Sequence, residues 1–66
     1  MNITNIKKVL EIVEKHVDTN KEYLCAEHDI IYFPLFEEQV PEDSEAGKLL
    51  LELGAHIEID SWAAFV

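Results

Sequence analysis

Ile3, Ile6, Val9, Leu10, Val13 and Val17 recur three and four residues apart, which sets them in one stripe along a helix with Ile12 at its margin. Asn2 or Thr4 offers an N-cap, Glu11 and Lys15 stand at the favourable four-residue spacing, and Asp18, Thr19 and Asn20 supply a stop. A stripe that wide needs an apolar surface to lie on.

Residues 24–36, LCAEHDIIYFPLF, hold the densest apolar run, and the β-branched and aromatic residues 30–33 predict a strand closed by Pro34, which has no N–H for a ladder. Two readings of its approach are open. If extension reaches back to Tyr23, then Leu24, Ala26, His28, Ile30 and Tyr32 share one face and Cys25, Glu27, Asp29, Ile31 and Phe33 the other. If residues 26–29 turn instead, residues 23–25 become a short first strand of a hairpin. The lack of Gly or Asn at the turn favours continuous extension.

Residues 37–45 read as a loop leading into a second helix, with Pro41 in its first turn and Glu42, Asp43 and Glu45 where the helix N-terminus favours negative charge. Ala46, Leu49, Leu50 and Leu53 form its apolar stripe, and Gly54 signals its end. Gly47 inside the pattern is either a tolerated surface glycine or the mark of a close contact. The alternation His56, Ile57, Glu58, Ile59, Asp60 predicts a strand, and residues 62–66 predict another, joined at Asp60 and Ser61 as a hairpin or run together as one strand.

The expected fold is a single α+β domain over residues 1–66, in the order helix, strand, helix, strand, strand. Two helices would pack on one face of a small, mainly antiparallel sheet of two to three strands, with Leu10 and Leu50 in the core. A chain of 66 residues cannot support two cores, and at 48% hydrophobic and 29% charged it is too apolar for a disordered segment. One cysteine excludes an internal disulfide and suits a reducing compartment, and no run has the length of a signal-peptide core or a membrane span, so a cytoplasmic protein is expected.

Charge sharpens the picture. The net charge of -9 lies wholly beyond residue 22: residues 1–22 balance four lysines against four acids, and after them ten acids face only Lys48. A direct nucleic-acid or anionic-membrane binder needs the opposite sign. Glu37, Glu38, Glu42, Asp43 and Glu45 could receive a basic protein or imitate nucleic-acid phosphates, or simply form a solvated loop; no D-x-D-x-D-G calcium loop is present.

Chemistry is sparse. Cys25 and His28, spaced C-x-x-H, could with His56, His16 or Asp29 present ligands to zinc, yet structural zinc takes two close ligand pairs, and strand residues three apart point to opposite faces. The same cysteine with His28 or His56 as base and Asp29 or Glu27 as orienter could act as a nucleophile, although a chain of this size leaves little room for a substrate cleft. The ordinary alternative is a small buried cysteine beside a partly exposed histidine. No glycine-rich phosphate loop, paired CxxC or H-E-x-x-H occurs. No cofactor is expected.

Tyr32, Phe33, Phe36, Trp62 and Phe65 read first as core, but both alternation sets of the first strand and of residues 62–66 contain apolar residues, whereas helices on one side cover only one set. The surplus predicts an exposed apolar sheet face and hence association. The sequence therefore reads as a non-enzymatic, acidic interaction domain that self-associates and could receive a basic partner, with His28, Ile30 and Tyr32 and the acids at 37, 38, 42, 43 and 45 as its surface. The alternative is a metal-binding or thiol-active module centred on Cys25 and His28.

Overall fold

The computed structural model describes all 66 residues, as α1 (Ile3–Glu14), β1 (Cys25–Glu27), β2 (Ile30–Phe36), α2 (Glu45–Glu52), β3 (His56–Glu58) and β4 (Ser61–Phe65). Asn2 caps α1, its Oδ1 accepting the Asn5 N–H at 2.7 Å. The buried stripe is Val9, Ile12 and Val13, with Ile6 and Val17 half-buried beside it. It is rotated from the expected one: marginal Ile12 is core, while Leu10 is 37% exposed.

The sheet has four strands, not two to three, in the order β1-β2-β4-β3, and every neighbouring pair is antiparallel. The additional strand is β1. The chain reverses at His28 and Asp29, both at positive φ (52° and 64°), as a two-residue hairpin turn with two left-handed residues requires. Continuous extension from Tyr23 is thereby corrected; His and Asp, like Asn, are enriched in that conformation.

Pro34 does not end β2. Three residues of β2 (Phe33, Pro34, Leu35) stand opposite the single Trp62 between the pairs Tyr32↔Ala63 and Phe36↔Ser61, an irregularity that relieves the ladder of the missing N–H. Alternation is kept across it, so Phe33 and Leu35 follow Ile31 to the core side, where they and Trp62 are nearly inaccessible.

Pro41 precedes α2 instead of opening it. Ser44 is the N-cap, with Oγ accepting the Gly47 N–H at 3.0 Å and donating to the Pro41 carbonyl at 2.6 Å, so Glu42 and Asp43 lie outside the helix and only Glu45 in its first turn. Gly47 is the close contact of the two readings: a Cβ there would stand 2.0 Å from the Pro41 carbonyl oxygen. The helix ends as a Schellman motif, Ala55 N–H to Leu50 O and Gly54 N–H to Leu51 O, with Gly54 at φ +99°.

β3 and β4 form a hairpin whose turn is Ile59 and Asp60, one residue earlier than expected. One core cluster draws on both helices and on Phe33, Leu35, Trp62 and Ala64, so α1 and α2 cover the same face of the sheet. No helix is long and apolar enough to cross a membrane.

Candidate functional site

With both helices on one side, the other face of the sheet has only its own side chains for cover. The strand registers lay these out in rows. Cys25, Tyr32, Ala63 and His56 cross the sheet from edge to edge; Glu27, Ile30 and Phe65 form the row beside them, and Phe36, Ser61 and Glu58 the far end. Ala63 has no exposed surface although it lies outside the helix-covered core, because Tyr32 and His56 flank it across the strands.

His56 is fixed on both sides. Its ring stacks on Phe65, with centroids 5.0 Å apart, and its Nε2 lies 3.1 Å from Glu58 Oε2. Ile30 and Tyr32 are half-buried, and Phe65 is 60% exposed. The centre of this face is thus apolar and aromatic, without a covering layer.

Its acids gather at two diagonally opposite corners, where each edge strand meets its turn. Glu27 and Glu58 belong to the two edge strands, Asp29 to the β1–β2 turn and Asp60 to the β3–β4 turn at the opposite end. The five lysines lie elsewhere, Lys7 and Lys8 in α1, Lys15 at its C-cap, Lys21 in the following turn and Lys48 in α2. The Met1 ammonium donates to the Phe65 carbonyl at 2.8 Å.

The sequence-derived interaction residues divide. Ile30 and Tyr32 lie in the open face, while His28 stands in the turn at its edge, 3.4 Å from Glu27 Oε1. Glu37, Glu38, Glu42 and Asp43 belong to the segment that leads from the opposite end of the sheet into α2, and Glu45 is the first residue of that helix. That segment is well anchored: Trp62 Nε1 donates to the Val40 carbonyl at 2.8 Å, and the Glu37 N–H to the Asp60 carbonyl at 2.9 Å. Beside Phe36, the carboxylates of Glu37, Glu38 and Asp60 border an open concavity of about 410 Å³. Phe65, His56, Glu58 and Asp60 were absent from the expected set; the alternation of residues 56–60 carried their signal, but only the pairing of β3 with β4 places them beside Tyr32.

Cys25 is exposed, not buried, on edge strand β1. His56 occupies the opposite edge strand, three strand spacings or about 14 Å away. His16 lies beyond α1, where its Nδ1 is 2.9 Å from the Ile12 carbonyl oxygen. No three His, Cys, Asp or Glu side chains gather closely enough to hold a metal ion.

The fold and this face define a small two-layer α+β domain with a bare sheet surface. Comparison with protein-family models, curated proteins and solved structures finds no match to the chain.

Proposed function

We propose that the chain is a non-enzymatic protein-interaction domain whose contact surface is the uncovered face of the sheet. The observation that carries this reading is the uncovered apolar centre of Ile30, Tyr32 and Phe65 opposite the helix-covered core. An aromatic and aliphatic surface left in water favours removal from it by roughly 25 cal/mol per Å² of apolar area, and contiguous apolar patches on small proteins mark association sites.

Cys25 gives a native handle for the test, being exposed in the row of Tyr32. A photo-crosslinker on Cys25 is compared with one on Lys48→Cys in a Cys25→Ser background, both in extract of the source cells and on the purified chain alone. Adducts formed from Cys25 and lost with Ile30→Thr and Phe65→Thr support the reading, whether they join a partner or a second copy. Adducts from position 48 alone, or none from either position, overturn it.

A further inference from the structure

The charge around the open face selects among its possible occupants. We infer that it receives a lysine- or arginine-bearing amphipathic segment of a partner protein, a conclusion that rests on reading the face as a docking surface. Glu27 with Asp29 and Glu58 with Asp60 flank the apolar centre at two opposite corners, and every lysine of the chain is carried by the helices or the turn after α1. A second copy placed face to face by a two-fold axis would bring four more carboxylates to the same surface with no lysine and only the Met1 ammonium at the Phe65 carbonyl to offset them, an arrangement that like-charge juxtaposition disfavours. A cationic segment meets the same carboxylates with complementary charge at its two ends and apolar side chains at its centre.

The size of the face points the same way. Four strands span about 19 Å across, and the five residues of β4 run about 17 Å along the sheet. A helix of about eleven residues has that length, with a diameter of about 10–12 Å including side chains. Such a contact is small for a pair of folded domains, whose stable interfaces remove about 800 Å² from each partner. It suits one segment with its apolar stripe on Ile30, Tyr32 and Phe65 and its cations over the carboxylates.

The defined probes are two synthetic amphipathic peptides with the same leucine spacing, one with lysine and one with glutamate at every polar position. They are titrated into isotope-labelled protein while backbone amide shifts are followed. The lysine peptide is expected to shift Ile30, Tyr32, Ala63 and Phe65, to bind about tenfold more weakly when salt rises from about 0.01 M to about 0.15 M, and to lose affinity with Glu27→Gln and Asp60→Asn. Ile30→Thr with Phe65→Thr abolishes the shifts, and the urea midpoint of each variant confirms that it is folded.

Equal binding of the glutamate peptide, or lysine-peptide shifts confined to residues 42–52, overturns the inference. So does sedimentation showing a dimer that the Ile30→Thr and Phe65→Thr changes dissociate, although that result leaves the docking face intact with a second copy as its occupant. Silence of the face toward both peptides, joined to absence of any Cys25 adduct, removes the docking reading itself.

Discussion

Ile59 has a backbone conformation that its side chain resists. It sits at φ +61° at the first position of the β3–β4 turn and is 85% exposed, so it combines left-handed geometry with a β-branched residue and gains almost nothing from packing. Hairpin turns with a left-handed first residue ordinarily place glycine there, and the left-handed conformation costs an L-residue roughly 1–2 kcal/mol. Ile59→Gly is therefore expected to raise stability by about 1 kcal/mol after allowance for glycine's greater freedom in the unfolded chain. A urea midpoint that falls would show that Ile59 makes contacts its exposure conceals. Gly47 presents the opposite case. Alanine is the better helix former by about 1 kcal/mol, yet Gly47→Ala drives a methyl group into the Pro41 carbonyl and is expected to destabilise by more than that gain. Thermal unfolding decides its sign.

At the scale of elements, the two helices were legible in outline and α1 was misjudged in rotation. Their apolar spacing is plain, but Leu10 and Leu50 look alike in the pattern, whereas Leu50 is fully buried and Leu10 borders a small groove of about 150 Å³ with Val17, Tyr23 and Leu24. Leu50→Ala is expected to cost about 2–5 kcal/mol and Leu10→Ala clearly less, to be compared as urea midpoints. The β1–β2 hairpin was missed because its turn residues are His28 and Asp29, not the Asn-Gly pair that announces such turns; the enrichment of His and Asp at left-handed positions was the available clue. Pro34 misled for a different reason: a proline is forbidden in a regular ladder but admitted where the opposing strands fall out of step. The open face was foreseen through Ile30 and Tyr32, while its other half depended on strand order, which no local pattern encodes. The anchoring of residues 37–44 was invisible for the same reason, since it hangs on Trp62 Nε1 reaching the Val40 carbonyl 22 positions away. Trp62→Phe fills much of the same space but leaves that buried carbonyl without its donor. A loss of about 1–3 kcal/mol is expected, with faster amide exchange at residues 37–44 than elsewhere in the chain.

For the whole molecule, the decisive quantity is the distance over which charges are felt. The chain measures 27 × 26 × 24 Å and carries a net charge of -9. At about 0.01 M salt the screening length is about 30 Å, so every carboxylate interacts with every other across the entire fold; at about 0.15 M it is about 8 Å, and only neighbours remain coupled. The visible ion pairs offer little compensation, because Lys21 with Asp18 is exposed at 4.0 Å and the other two involve histidines beside Glu27 and Glu58. Self-repulsion of this kind opposes the compact state and relaxes when the chain expands. The unfolding temperature is therefore expected to rise as sodium chloride increases over that range, and to rise less when Glu42→Lys and Asp43→Lys reduce the excess of acids on an exposed stretch that makes no ion pair. A melting temperature that stays level or falls with salt would mean that local pairing outweighs the global charge. The carboxylates at the corners of the sheet face would then be too weak a field to choose a basic partner, so this measurement bears on function as directly as on stability.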